Sequence, residues 1–298
     1  MHTKQQIQNF LREAGFSPNH RRGQNFLIDL NLIRVLLGLA NISKNDVVLE
    51  VGPGTGSLTE ELVKLAGKVI TVEIEQILAQ ITSRQLADAE NLQIITTDVL
   101  QSKNTIDAVV IEAIEQAKKQ FSGRFMLVAN LPYSVACPVM LNLVTNTLTA
   151  DCMYVTVQKE VAQRMAAEPR EEEYGTISIL LAATGDVKIE RILKPTVFWP
   201  EPQVDSAMVS YIRNDNKVRR IHNMRMLTEV VSLFMGHRRK MLKACAKLAT
   251  DDLAKVRNWS AVFQECFVDP HLRPEQLEVT DYVAIANICA EQLKSSLS

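Results

Sequence analysis

Asp46-Val47-Val48-Leu49-Glu50-Val51-Gly52-Pro53-Gly54-Thr55-Gly56 (residues 46–56) joins an almost continuous β-branched and apolar run to three glycines in five positions. An apolar run of that length without alternation predicts a strand buried on both faces, as in a parallel sheet. Glycines directly after it predict a turn where a ligand can approach the backbone at the start of a helix. Downstream, helical and strand patterns alternate: helix Leu58–Ala66, strand Val69–Val72, helix Ile77–Leu86, strand Leu92–Thr96, helix Ile106–Gln120 and strand Arg124–Ala129. This alternation predicts α/β architecture with helices on both faces of a parallel sheet.

Upstream, Asp29 caps a helix that runs to Ala40, and Gly23–Leu27 reads as a loop with one polar pair, Gln24-Asn25. Beyond Ala129 come a helix through Met140–Leu148, a strand Met153–Gln158, a charged loop Glu168–Glu173 and a helix Ile177–Ala183. A β region at Val187–Ile192, a proline-rich loop Pro195–Pro202 and a strand Ala207–Ile212 complete a seven-stranded sheet. Asn214-Asp215-Asn216 marks a boundary, because helical spacing alone follows it. The expected organisation is an α/β domain over 1–213 and a small α-helical domain over 214–298.

The 298 residues are 47% hydrophobic and 22% charged, which suits two globular domains with a sizeable core. Met1–Phe10 lacks a secretory pattern, and no apolar run approaches the ~20 residues of a membrane span. These features predict a cytoplasmic protein with no membrane partner. The five cysteines form no CxxC, so reduced thiols are expected, with neither a disulfide framework nor a metal site. A net charge of −1 argues against general polyanion coating, although His20-Arg21-Arg22, Lys217–Arg220 and His237-Arg238-Arg239-Lys240 are local basic clusters.

Three successive strand ends carry ligand-competent groups. Gly52, Gly54 and Gly56 follow the first strand, in G-x-G-x-G spacing rather than the dinucleotide spacing G-x-G-x-x-G. Glu73 ends the second strand, where a carboxylate can accept both hydroxyl protons of a ribose. Asp98 follows the third and can accept from an adenine amino group. Each alone has a plainer reading, a tight turn or an exposed strand-end charge, but the three in register favour a nucleotide-like cofactor. The fourth strand ends at Asn130-Leu131-Pro132-Tyr133, an amide, a proline and an aromatic delivered to the same edge.

Asn-Leu-Pro-Tyr resembles the (Asn/Asp)-Pro-Pro-Tyr loop of methyltransferases that act on exocyclic amines of bases. The whole chain resembles the ribosomal RNA adenine N6,N6-dimethyltransferases. The matching residues are Gly23–Leu27, Glu50–Gly56, Glu73, Asp98, Asn130–Ser134, Gln158–Val161, Tyr174-Gly175, Phe198–Ser206, Arg238–Lys240 and Arg273-Pro274-Glu275. The resemblance implies a Rossmann-like methyltransferase domain followed by a helical RNA-recognition domain. It places S-adenosylmethionine against Gln24, Asn25, Leu27, Gly52, Gly54, Gly56, Glu73, Asp98 and Asn130. It assigns catalysis to Asn130, Leu131, Pro132 and Tyr133, with Phe198 on the opposite face of the base, and RNA contacts to Arg21, Arg22, Arg238, Arg239 and Lys240.

The implied reaction is dimethylation of two adjacent adenines in the 3′-terminal hairpin of small-subunit rRNA, by a monomer acting on a pre-ribosomal small subunit. A large-subunit rRNA adenine methyltransferase and a non-catalytic assembly or transcription factor on the same fold are the alternatives. A dehydrogenase is disfavoured by the glycine spacing. Gln203 stands where relatives often carry lysine, and the net charge is lower than usual for them. Trp259, Phe263 and Phe267 recur at helical spacing in the second domain and are expected to be core residues.

Overall fold

The computed structural model describes residues 1–18, 24–103 and 105–295. In chain order its first elements are α1 (Lys4–Glu13), β1 (Phe26–Leu27), α2 (Leu30–Ala40), β2 (Val47–Val51), α3 (Thr59–Leu65), β3 (Lys68–Glu73), α4 (Gln76–Gln85) and β4 (Leu92–Thr96). A short β5–β6 pair (Leu100–Ser102, Thr105–Ile106) precedes α5 (Ala108–Gln120), β7 (Phe125–Asn130), α6 (Ala136–Thr145), β8 (Cys152–Gln158) and α7 (Lys159–Ala166). Then come α8 (Thr176–Thr184), β9 (Gly185–Leu193), β10 (Phe198–Trp199) and β11 (Ser206–Arg213). The C-terminal elements are all helical: α9 (Asp215–Val218), α10 (Met224–Gly236), α11 (Leu242–Ala246), α12 (Trp259–Glu265) and α13 (Val279–Ser295).

Seven strands form one sheet in the order β4-β3-β2-β7-β8-β11-β9. Neighbours from β4 to β8 run parallel, and β11 is antiparallel to β8. Every residue of β2 and residues Phe125–Ala129 of β7 are buried, as their unalternating apolar sequence requires. Chain order reverses between β2 and β7, the place where open α/β sheets leave a crevice outside the strand ends. At the opposite ends of these strands the Asp46 carboxylate accepts from the Arg124 backbone N–H at 2.8 Å and from its guanidinium at 2.8 Å. Burial alone would raise the Asp46 pKa, but these bonds and one from Ser43 outweigh it and hold the group ionised.

The chain packs as two compact units, one of Met1–Leu143, Leu148–Ala162 and Lys188–Ile212, the other of Val144–Thr147, Gln163–Val187 and the residues from Arg213 onward. Residues 163–187, which sequence order would put with the first domain, therefore pack with the C-terminal helices. The reason lies in α8, whose Ile177, Ile179, Leu180 and Leu181 are all buried, so it needs neighbours on most of its surface. It packs against α10 and α13, while the Tyr174 hydroxyl donates to the Leu277 carbonyl at 3.1 Å.

Two short features escape the sequence pattern. Helix α1 is capped by a reciprocal Thr3–Gln6 pair and buries only Ile7 and Leu11, a stripe too narrow to stand out from its polar surroundings. Strand β1 pairs antiparallel with β10, Phe26 opposite Trp199 and Leu27 opposite Phe198, and two residues are too few to display alternation. The stretches that hold β1 and β10 read as loops in the sequence.

Candidate active site

The glycine turn after β2 is built by backbone conformation. Gly52 and Gly54 have φ of +75° and +60°, a region that side chains rarely adopt. A Cβ on Gly54 would also lie 2.7 Å from the Phe26 ring. Gly56, at φ +86°, faces Thr82 on α4 and does not line the cleft.

A cavity of about 430 Å³ opens at the ends of β2, β3 and β7. Of the residues expected at the cofactor, Gln24, Asn25, Leu27, Gly52, Gly54, Glu73, Asp98 and Asn130 line it. Glu73 is buried, with Oε1 accepting from the Glu75 N–H at 3.0 Å and Oε2 from the Gly54 N–H at 3.4 Å. Burial raises its pKa, those two N–H bonds oppose the rise, and the nearby Glu75 charge adds to it. These N–H bonds, with a lesser one from Ile74, use only part of a carboxylate's acceptor capacity, which leaves room to accept from a ribose hydroxyl. Asp98 is exposed at the rim, its carboxylate oriented by the Leu100 N–H at 2.9 Å.

Glu50, at the floor of the cleft, is the most perturbed carboxyl there. Burial pushes its pKa up to about 7, the Thr59 hydroxyl at 2.7 Å pulls it down, and the like charge of Glu73 raises it further.

Asn130 closes the mouth of the cleft between two partners. Its Nδ2 donates to the Asn25 carbonyl at 2.9 Å, and its Oδ1 accepts from the Thr156 hydroxyl. A donor bond on one side and an acceptor bond on the other fix which way the amide faces. Leu131 is buried, and its N–H donates to the Thr156 carbonyl at 3.2 Å. Its own carbonyl accepts no hydrogen bond among the described residues. Pro132 lines the cleft and lies against Gly52.

Leu131, Tyr133 and Phe198 are not on the cleft wall. Tyr133 is half-buried, with its hydroxyl 2.9 Å from Ser206 Oγ, and burial raises its pKa against that bond. Phe198 is 1% exposed and belongs to the core cluster with Leu27, Leu32 and Leu36. This arrangement does not place a free Phe198 face beside Asn130, because pairing with β1 draws the side chain into the core. Arg21 and Arg22 lie outside the described residues. Arg238, Arg239 and Lys240 are exposed in the second unit, where Arg238 donates to the Glu172 carbonyl at 3.2 Å.

Several further side chains complete the site without a role that the sequence marks. Thr156 is set opposite Asn130 by the β7–β8 register, and Ser206 reaches Tyr133 from the first residue of β11. Phe26 covers Gly54 and stacks on Trp199 at 6.3 Å. At the N-terminus the His2 N–H donates to Ser57 Oγ at 2.8 Å, and its Nδ1 lies 3.3 Å from Thr55 Oγ1, so this segment covers the glycine turn.

The strand order, the crevice at the reversal point and the amide-proline loop define a Rossmann-like methyltransferase. Over residues 15–291 the sequence matches the family described as ribosomal RNA adenine dimethylase. It is 35% identical over 280 residues to the ribosomal RNA small subunit methyltransferase A of Geobacillus sp. (strain WCH70), covering 93% of each chain. It is 34% identical over 284 residues to the protein of that name from Pediococcus pentosaceus, covering 93% of this chain and 91% of the relative. Among solved structures, a dimethyladenosine transferase from Plasmodium falciparum superposes with a TM-score of 0.68 at 21% identity, covering 90% of this chain and 98% of the other. A 23S rRNA methyltransferase, ErmE, superposes with a TM-score of 0.58 at 19% identity, covering 91% and 100%. The chain belongs to the ribosomal RNA adenine dimethylase family, and its cofactor is S-adenosylmethionine.

Proposed function

We propose that this chain dimethylates N6 of two adjacent adenines in the 3′-terminal hairpin of small-subunit rRNA, acting as a cytoplasmic monomer on a partly assembled small subunit. The observation that carries this reading is the Asn130 amide, locked between Asn25 and Thr156 on the wall of the cleft that Gly52, Glu73 and Asp98 also line. Curated relatives named for the small subunit support the choice of RNA, whereas the likeness to ErmE is one of fold. No helix among the described residues is long and apolar enough to cross a membrane.

The cleft suits S-adenosylmethionine by its donor and acceptor set. Glycines leave the backbone open, the buried Glu73 keeps unused acceptor positions, and Asp98 offers an acceptor at the rim. In this reading Glu73 holds the ribose, Asp98 the adenine, and Gln24, Asn25 and Leu27 form the facing wall. When bound, S-adenosylmethionine supplies a methyl group activated by a sulfonium centre.

The chain's own task is to ready the adenine N6, whose lone pair is delocalised into the ring. Asn130 Oδ1 and the Leu131 carbonyl each accept one N6 hydrogen, which favours a pyramidal nitrogen with a localised lone pair. Thr156 uses one acceptor direction of Oδ1 and leaves the other. Pro132 restricts the backbone that carries the Leu131 carbonyl. Tyr133, tethered by Ser206, offers a face to the base, and Phe198 joins it only where the β1–β10 pair yields. The nitrogen proton departs to solvent after transfer, so no side chain is assigned as a base. Arg238, Arg239 and Lys240 contact rRNA phosphates; Arg21 and Arg22 are proposed for the same role near the target base.

The test is transfer of radiolabelled methyl groups to unmethylated small ribosomal subunits, followed by mapping of the modified bases. Label is expected as N6,N6-dimethyladenine at two adjacent positions of small-subunit rRNA. Label in large-subunit RNA, or none, overturns the proposal.

A further inference from the structure

Helix α12 ends in a way that its last aromatic residue does not help. Beyond the Cys266 cap, the Phe267 N–H bonds the Gln264 carbonyl at 3.1 Å and the Val268 N–H bonds the Phe263 carbonyl at 2.9 Å. This is the pair of bonds that closes a helix with one left-handed residue, a position that glycine fills best. Here Phe267 holds it, at φ +56° and 97% exposed. The other non-glycine residues at positive φ among the described residues are Asn41, Arg170 and Asp251. Asn and Asp tolerate that region, whereas a bulky aromatic does not. The fold therefore bears a backbone cost and an exposed ring at Phe267, and recovers nothing by packing it. Strained residues of this kind cluster at functional sites.

The surroundings indicate what that is. The Lys243 N–H bonds the Pro270 carbonyl at 3.0 Å and the Leu242 N–H bonds the Leu272 carbonyl at 2.9 Å, sewing the loop after Phe267 to the start of α11. Residues 237–247 carry Arg238, Arg239, Lys240, Lys243 and Lys247, all exposed, and no acidic residue. Among the described residues Arg238, Arg239, Lys240 and Lys247 form no ion pair with a carboxylate; Lys243 feels the charge of Asp269, whose carboxylate is bonded to His271 at 2.9 Å, and Glu265 is exposed. An exposed flat ring on a loop sewn to a run of exposed cations has the chemistry of a surface that grips phosphates and stacks a base.

We infer that Phe267 is a base-stacking contact for ribosomal RNA on the second unit, working beside the Arg238–Lys247 cations. The inference rests on the proposed rRNA substrate. It is tested with the full-length protein by measuring affinity for unmethylated small ribosomal subunits, and for a protein-free transcript of their 3′ domain, in wild type and in Phe267→Tyr, Phe267→Leu and Phe267→Gly. Phe267→Tyr keeps the flat face and is expected to bind within about twofold of wild type, whereas Phe267→Leu and Phe267→Gly lose about 5–30-fold on both RNAs. Phe267→Gly is also expected to match or exceed the wild-type melting temperature, which separates a lost contact from a lost fold. Affinity for S-adenosylmethionine stays unchanged in all three.

Wild-type affinity in Phe267→Leu overturns the inference. So does a loss seen on subunits but absent on the transcript, which would place the ring against a ribosomal protein. If wild type neither binds nor methylates small subunits, the proposed substrate fails and this contact with it; if wild type does both and the variants bind equally well, only the contact fails.

Discussion

The loop at Asn130–Tyr133 and the basic run at Arg238–Lys247 are both polar segments expected to meet the same RNA, and they are held in opposite ways. In the first unit the side chains proposed for the site are fastened by neighbours: Asn130 by Asn25 and Thr156, Tyr133 by Ser206, Glu73 by the N–H groups of Gly54 and Glu75. In the second, Arg239, Lys240 and Lys247 are exposed and form no ion pair with a carboxylate among the described residues. Chemistry on a weak nucleophile needs acceptors fixed before the substrate arrives, because reorganisation during the reaction would raise the barrier. Phosphate contacts need only charge within reach, and screening keeps each of them weak.

The comparison breaks most visibly at Asn130. Asn130→Ala removes a fixed acceptor and is expected to lower the methyl-transfer rate by about 10²–10³-fold or more, with the melting temperature little changed. Near-normal turnover in a radiolabel assay would remove Asn130 from its assigned role.

Next in size is Glu50, fastened but burdened by burial. Its folded pKa of about 7 exceeds the usual 4.5, so between those values the folded protein holds a proton that the unfolded chain has released. Stability contributed by this group is therefore lost as pH rises through that window, by about 3 kcal/mol once pH exceeds 7. Glu50→Gln is expected to melt several degrees above wild type at pH 8 and close to it at pH 4.5. Parallel melting curves across that range would show that Glu50 ionises normally.

Thr156→Val sharpens the contrast by loosening one tether while sparing the acceptor. A loss of about tenfold in kcat is expected, with the KM for S-adenosylmethionine nearly unchanged, since the hydroxyl orients Asn130 rather than holding cofactor. An unchanged kcat would mean that Asn25 alone suffices to orient the amide.

The smallest effects belong to the free cations. Arg239→Ala and Lys240→Ala should each weaken subunit binding a few-fold at moderate salt, and each should reduce the log–log salt slope by about 1. A slope that does not move would place these side chains away from phosphate.

Much of the first unit was legible because its elements are long and periodic. Strands β2 and β4 fall at the residues their apolar runs mark, and the Gly52, Glu73, Asp98 and Asn130 strand ends converge on one cleft. What stayed hidden was short or came from register. Helix α1 shows only Ile7 and Leu11 to the core, and β1 and β10 are two residues each. Phe267 illustrates a different failure: helical spacing from Trp259 and Phe263 puts it in the core, but the helix stops at Glu265 and a left-handed turn swings the ring out.

The amino-acid sequence by itself determined the parallel α/β architecture, the glycine turn and the residue types at each strand end. Those depend on local backbone sterics and on periodicity, which any stretch of chain carries with it. Only the tertiary structure decided that Thr156 and Asn25 lock Asn130, that Phe198 is core, that residues 163–187 pack with the C-terminal helices, and that Phe267 faces outward. These are meetings between segments distant in the chain, and which partners meet is settled by how the whole core closes.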